Sequence, residues 1–493
     1  MFCMNSPAKS PHTYLFFGIL VLGTALRFFE LGTQSLWLDE ALSWSQAQLP
    51  VAELLKSAAL DVHPPLYSIL LHASISILGA SETSLRLISA ICGVVSIWLA
   101  WQVFLQLMNK NAALLATLLF TISYIAVSYS QEARMYSLML CLTLAANALL
   151  LRISNGHKPA GAGLVALYII ATVLLLYTHI YGLFVLLAHN LYMAFRYACK
   201  HKQIPGPMLW AGMQSLILLL FSPWLVILFS QVRRIQDNFW LDTPTLQNLL
   251  VTLKMYSGSD IAVWLSLLLI SFAVFSLRQN SRANNSSPVA STHSMAFLFI
   301  WLLTPILVPF VISQLTQPVF MPRYTIVSSP AWFGLTGIGI QAIRAGYLRY
   351  SILALITAVM SGALVLYFAS PAKTNWRAIV PYIETTAQAD GLVLFHTHEV
   401  IAPYRYYASR NDLKLATVTL ATSTTPPANQ LQAAVELARN HQQLWLVSGY
   451  DIAADIHEQD VVEALLNTHT LVGDAPFKEI GAIRVFQFRL NNQ

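Results

Sequence analysis

Two adjacent carboxylates, Asp39 and Glu40, stand in the stretch Leu36-Trp37-Leu38-Asp39-Glu40-Ala41-Leu42-Ser43-Trp44, just after the first apolar run of the chain. A second polar cluster follows at Asp61-Val62-His63-Pro64-Pro65-Leu66-Tyr67. An acid at the mouth of a membrane helix is costly unless it is paired or wet, so its presence needs a reason. A positioned carboxylate is suited to taking a proton from an acceptor group. Arg134 lies in Gln131-Glu132-Ala133-Arg134-Met135-Tyr136 and Arg323 in Met321-Pro322-Arg323-Tyr324. Guanidinium forks match the oxygens of a phosphate. Each feature has a plainer alternative. Asp39 and Glu40 would cap a helix in a solvated loop, and Glu132 would pair internally with Arg134 or Arg323.

The elements that must position these residues follow from composition. The 493 residues are 56% hydrophobic and 10% charged, against about 25% charged in soluble domains. The chain reads as a polytopic membrane protein. Its net charge of +6 holds no basic run dense enough for nucleic acid, and it fits cytoplasmic loops instead. Cys3, Cys92, Cys141 and Cys199 form no CxxC pair, so neither a zinc site nor a disulfide framework is expected. Lys9 precedes an apolar run from Tyr14 to Leu26 with no small-residue cleavage site after it, the pattern of an uncleaved signal anchor.

A spanning helix needs about 20 mostly apolar residues. Runs of that kind lie near 13–31, 83–108, 111–129, 133–152, 161–178, 180–199, 208–230, 260–277, 295–315, 322–343 and 350–369. Pro65 to Gly79 is shorter and suits an interfacial or re-entrant helix. With the N-terminus cytoplasmic and that short segment not spanning, the cytoplasmic loops carry Lys110, Arg152 with Lys158, Arg196 with Lys200 and Lys202, Arg278 with Arg282, and Arg344 with Arg349. Each is basic and none is acidic, as the positive-inside rule asks. The expectation is therefore eleven spans in a plasma (inner) membrane, with the C-terminus exoplasmic or periplasmic. The exterior face then receives the first loop (about 32–82), the 131–136 and 321–324 clusters, Thr178-His179-Ile180-Tyr181, and Gln231 to Asp237.

From about Ser370 the chain turns polar, beginning with Lys373-Thr374-Asn375-Trp376-Arg377. Ile379–Ala387, Gln430–Asn440 and Val461–Leu466 read as helices, and Gly391–Phe395, Leu444–Ser448 and Ala482–Phe488 as buried strands. Residues 1–370 are thus expected to form a transmembrane domain and 371–493 a small exoplasmic α/β domain. That domain has no GxGxxG or GxxxxGK[ST] run, so nucleotide binding has no support. Asn280 to Ser291, rich in Ser and Asn, reads as a flexible cytoplasmic loop.

A first helix followed by Asp-Glu, then His-Pro-Pro-Leu-Tyr, Glu-Ala-Arg-Met-Tyr and Pro-Arg-Tyr resembles the GT-C superfamily of glycosyltransferases. Within it the chain is most similar to bacterial relatives of the protein O-mannosyltransferases and of the lipid A aminoarabinose transferase. The resemblance covers roughly residues 13 to 370. It implies a polyprenyl-phosphate (or dolichyl-phosphate) sugar donor and transfer on the exoplasmic face. It also implies catalytic acids at Asp39 and Glu40, with Glu132 the nearest counterpart of a further acid, a position that Tyr136 can take instead. Arg134 and Arg323 match the family's phosphate ligands. His63 stands where the family often has a cation.

The chemistry is coherent on the residues alone. A glycosyl phosphate brings its own leaving group, so a single base must deprotonate the acceptor hydroxyl or amine. Arginines hold the charge that grows on the departing phosphate, and direct attack inverts the anomeric carbon. Asp39 is the expected general base. Asp61, His63, Arg134, Tyr136, His179, Arg323 and Tyr324 are the expected donor and substrate contacts. No cofactor or essential metal is expected, the alternative being a divalent ion on Glu40, Asp61 or His63. The partners are the lipid-linked donor, the bilayer and an acceptor that is protein, lipid or glycan. His179 and Tyr181 either line the acceptor cleft or anchor the interface. Trp37 and Trp44 either stack on a sugar or anchor the interface likewise. His189 reads as a satisfied packing residue, and Arg86 as support for the first loop. The rival function is a secondary transporter or channel, which intramembrane polar residues also mark. Against it, the polar residues gather at one interface instead of the midplane.

Overall fold

A computed structural model describes residues 11–155, 160–200, 205–235, 242–282, 289–370, 373–418, 427–449, 457–477 and 483–491. Cys3, Lys9, Lys158, Lys202, Gln236, Asp237 and positions 283–288 of the expected 280–291 loop fall outside the described residues. The helix Asp260–Arg282 runs on into the start of that loop. The chain divides into two compact units. One comprises Met1–Phe29, Pro50–Leu78 and Arg86–Phe368, and the other Glu30–Leu49, Gly79–Leu85 and Ala369–Gln493.

The first unit is helical. Among the described residues, six helices are long and apolar enough to cross a membrane: Glu82–Leu107, Tyr136–Asn155, Pro207–Gln231, Asp260–Gln279, Thr292–Leu315 and Gly346–Ala369. Lys110–Thr121 and Tyr124–Gln131 make a seventh if taken as one span bent by 59°. The other expected spans meet helices that fall short in length or composition: Pro11–Phe28, Ala162–Thr178, Gly182–Ala198 and Ser329–Ala342. Length and composition among the described residues thus account for six or seven of the eleven expected crossings. The segment after Pro65 is a helix of 13 residues, Leu66–Leu78, short as expected.

Two expected spans are interrupted, for local reasons. The 111–129 run breaks after Thr121, where Ser123 Oγ donates to the Phe120 carbonyl at 2.9 Å and Thr121 Oγ1 donates back to the Thr117 carbonyl at 2.7 Å. Such hydroxyl bonds compete with the helical ladder and bend it. The 322–343 run opens as a 3-10 helix, Pro322–Ser328, closed by Thr325 Oγ1 donating to the Pro322 carbonyl at 2.7 Å. Only Ser329–Ala342 is α-helical there.

Prolines inside the long helices leave carbonyls that need donors in an apolar setting. Pro223 frees the Leu219 carbonyl, which receives Ser222 Oγ at 2.8 Å. Pro305 frees that of Trp301, which receives Ser328 Oγ at 3.3 Å. The helix Ser329–Ala342 lies backbone-close to two neighbours. A Cβ on Gly337 would stand 2.9 Å from Ala116 N, and one on Gly339 would overlap the Leu269 carbonyl. Small residues at such crossings let membrane helices approach.

The described residues of the second unit contain one sheet. Its strands β1 (Leu392–Phe395), β2 (Lys414–Thr417), β3 (Gln443–Ser448), β4 (His469–Phe477) and β5 (Ile483–Leu490) run in the order β2-β1-β3-β5-β4. β1 is parallel to β2 and β3, and β5 is antiparallel to β3 and β4. The period of two separates the faces. Val393, Phe395, Trp445, Val447 and Val485 pack with the helix Trp376–Thr386. Leu392, Leu394, Leu444, Leu446 and Phe486 pack with the helices Pro427–Arg439 and Glu458–Leu466. Every helix and strand expected after residue 370 is present. β2, β4 and the helix Ile401–Tyr407 were not expected. β4 contains Gly473 and Pro476 and shifts register between Leu471 and Gly473, features tolerated at a sheet edge.

Candidate functional site

In the second unit, Trp37 is extended (φ −92°, ψ 177°) and the helix Leu38–Ala47 begins after it, with Asp39 and Glu40 in its first turn. Carboxylates there face the positive end of the helix dipole. The two acids diverge, since successive residues point about 100° apart around a helix. Glu40 is fully buried and forms an ion pair with Lys373 Nζ at 3.0 Å. Asp39 is half-buried. Glu40 is thereby engaged by a protein cation.

In the first unit, the motif turns converge. Asp61 ends the helix Val51–Leu60, with its Oδ1 accepting the Val62 N–H at 2.7 Å. Gln231 Nε2 donates to the Asp61 carbonyl and to those of Ala58 and Ala59, so the end of the Pro207–Ile235 helix is tied to this turn. Tyr67 hydrogen-bonds Ser89 Oγ at 3.2 Å, and Ser89 Oγ donates to the Arg134 carbonyl at 3.1 Å. The Arg134 N–H donates to the Glu132 carbonyl at 2.8 Å, which closes the turn bearing Glu132 and Arg134. The turn before Arg323 is set by Ser313 Oγ, which accepts the N–H groups of Val319 and Phe320 at 2.8 and 2.9 Å. Tyr256 then donates to the Thr325 carbonyl at 2.6 Å.

These supports bring two cations to one ring. Arg134 and Arg323 lie 5.9 and 5.8 Å from the Tyr136 centroid, and Arg323 lies 5.8 Å from that of Tyr324. Tyr324 stacks on Tyr136 at 6.0 Å. His179 stands 4.7 Å from Tyr324 and 5.1 Å from His63. Tyr181 completes the ring cluster 5.4 Å from Tyr324. Six of the expected contacts, His63, Arg134, Tyr136, His179, Arg323 and Tyr324, therefore share one site. Glu132 is half-buried and near enough to Tyr129 to act on it electrostatically. Asp61 is exposed at the rim of its turn.

Burial holds both imidazoles well below their ordinary value. Arg134 and Arg323 lower His63 further, and His63 with the same two arginines lowers His179. Both rings are neutral near pH 7, which leaves the arginines as the positive charge of the cluster. Half-buried guanidiniums beside neutral donors are suited to an anion rich in oxygens. Among the described residues, no group of three or more His, Cys, Asp or Glu side chains is arranged to hold a metal ion.

Other residues resolve plainly. His189 has both nitrogens occupied, by Tyr168 Oη and Asn147 Oδ1 at 3.0 Å each, and is a satisfied packing residue. Arg86 is buried. Trp44 meets Tyr406 edge-on at 5.1 Å. Sequence reasoning did not single out Ser313, Tyr256 or Ser89, nor Lys373 as the partner of Glu40. The cue for Lys373 was its position, a cation directly after the last apolar run.

Residues 62–227 match the family described as dolichyl-phosphate-mannose-protein mannosyltransferase. No curated protein matches the chain by sequence. Among solved structures, the chain is similar to ArnT from Cupriavidus metallidurans in the apo state, with a TM-score of 0.64 at 13% identity over 97% of this chain and 98% of that one. ArnT bound to undecaprenyl phosphate gives 0.58 at 12% identity over the same shares. The oligosaccharyltransferase AglB from Archaeoglobus fulgidus, in complex with an inhibitory peptide and a dolichol-phosphate, gives 0.56 at 12% over 96% of this chain and 74% of that one. The chain shares its fold with ArnT and AglB.

Proposed function

We propose that this chain is a GT-C membrane glycosyltransferase that moves a sugar from a polyprenyl-monophosphate carrier to an acceptor on the exoplasmic face. The observation that carries the reading is the pair Arg134 and Arg323 around Tyr136, with neutral His63 and His179 beside them. Two guanidiniums match a phosphate that gains negative charge as it departs. The lipid phosphates bound by ArnT and AglB support the same class of donor.

Asp39 takes the proton of the acceptor hydroxyl or amine. The freed oxygen or nitrogen attacks the anomeric carbon, and the bond from that carbon to the phosphate oxygen breaks. Its electron pair leaves on the phosphate, held by Arg134 and Arg323, and the anomeric carbon inverts. Glu40 does not act on the substrate in this scheme, since Lys373 engages it. The basic loops at Lys110, Arg152, Arg196, Arg278 and Arg344 support a cytoplasmic N-terminus and an exoplasmic C-terminal domain.

The test is a transfer assay on the full chain in detergent, with radiolabelled polyprenyl-phosphate mannose, arabinose or glucose and Asp39→Asn in parallel. One donor should lose label, and Asp39→Asn should slow that loss by roughly 10²- to 10⁴-fold, the range for a general base. A folded Asp39→Asn chain with full turnover overturns Asp39 as base. Failure to bind any polyprenyl phosphate overturns the donor class and favours transport.

A further inference from the structure

The helix Leu38–Ala47 has ten residues and no side-chain cap at Trp37. A helix that short does not hold itself in water, and its direction must come from tertiary partners. Those partners lie within its own unit. Before Asp39, the Leu36 N–H donates to Tyr407 Oη at 2.8 Å, and Ser35 Oγ accepts the Arg377 N–H at 3.3 Å. Next to Asp39, Glu40 meets Lys373 in a pair whose side chains are 0% and 5% exposed. After it, Trp44 packs edge-on against Tyr406.

The anchors are themselves cross-braced. Tyr407 Oη donates to Glu82 Oε1 at 3.0 Å, and Glu82 pairs with Arg377 at 2.6 Å. Arg377 also donates to the Gly32 and Thr33 carbonyls at 3.1 Å each. Behind this network, Trp376 and Tyr404 belong to one face of the sheet core. The chain on both sides of Asp39 is therefore fastened to residues 373–407, which continue into the packed α/β layers.

We infer that the C-terminal sheet is the mount of the base-bearing helix, with Lys373 as the positioning residue that sets Asp39 through its neighbour Glu40. The inference rests on the role of Asp39 proposed above. A base has to sit within hydrogen-bond reach of the proton it takes, and a displacement of about 1 Å can cost about 10²-fold in rate. A catalytic carboxylate on a short uncapped helix needs such a fixture. The buried Glu40–Lys373 pair supplies it one residue away.

The experiment compares Lys373→Met and Tyr407→Phe with the parent, all as full chains in detergent, by hydrogen exchange and by donor turnover. In each variant, amides of 36–47 should exchange at least tenfold faster, while β1 and β3 keep their protection. The turnover number should fall at least tenfold with the donor KM within twofold. Unchanged protection at 36–47 in both variants overturns the mount. So does an equal loss in β1 and β3, which would mark general unfolding. The exchange arm needs no substrate, so a parent chain that binds no polyprenyl phosphate overturns the proposed function and leaves the mount to be decided on its own.

Discussion

The backbone N–H of Tyr181 donates to Nδ1 of His179 at 3.1 Å, and His179 is fully buried. An accepting Nδ1 must carry a lone pair, so the proton of the neutral ring sits on Nε2. That nitrogen has no hydrogen-bond partner among the described residues. The cluster thus holds a neutral N–H donor whose orientation is fixed by the chain itself.

The first prediction concerns that ring. Its folded pKa lies well below the ordinary 6.5, from burial first and then from His63, Arg134 and Arg323. The unfolded chain therefore binds the proton more readily, and stability falls as pH drops below about 6.5. Nitrogen-15 spectra should show the Nε2–H tautomer at pH 7. His179→Phe should flatten the slope of melting temperature against pH on the acid side. A ring that protonates near pH 6.5 in the folded chain contradicts this.

Arg323→Ala should weaken the binding of a polyprenyl phosphate by roughly 10- to 100-fold, from about 1.5–3 kcal/mol for a bond to a charged group. Arg323→Lys should recover part of it, because a lysine keeps the charge without the fork. Titration calorimetry in detergent reads both. Equal affinity in all three chains removes Arg323 from the phosphate site.

Ser313 tests the support beneath that arginine. Ser313→Ala leaves the N–H groups of Val319 and Phe320 without their acceptor, a loss of about 1–3 kcal/mol for a buried group. The donor KM should rise, and amides of 319–325 should exchange faster. A normal KM would show that Arg323 is held by Tyr256 and Thr325 alone.

A fourth prediction separates two glycines. Gly339→Ala drives a methyl into the Leu269 carbonyl, a backbone atom with little room to yield, and should cost roughly 1–3 kcal/mol by overpacking. Gly212→Ala meets nothing within 4 Å in its helix and should stabilise slightly, by roughly 0.5–1 kcal/mol. Thermal unfolding in one detergent ranks the two against the parent.

The cluster was legible in sequence because its members are out of place there. Arginines and histidines at helix mouths are conspicuous against an apolar background, and proline and tyrosine beside them fixed the motifs. The helix break after Thr121 was not legible, since apolar residues continue through Ile122 and Tyr124 and hydropathy does not register a bend. β4 was missed because Gly473 and Pro476 interrupt a strand pattern, and its edge position tolerates them. The pairings of Lys373 and Tyr407 were missed for another reason. Their partners Glu40 and Leu36 lie 333 and 371 residues away, beyond any local pattern.

That separation sets an order of events during synthesis. Glu40 leaves the ribosome 333 residues before Lys373, which at 5–20 residues per second is roughly 20 seconds to a minute. Through that interval the carboxylate has no counter-ion from Lys373 and the helix after Trp37 lacks its fixture. The acid-bearing loop is consequently among the last parts of the molecule to mature. The helices as far as Thr292–Leu315 emerge well before the residue that sets Asp39 in place, and only Gly346–Ala369 precedes it closely, ending four residues ahead of Lys373.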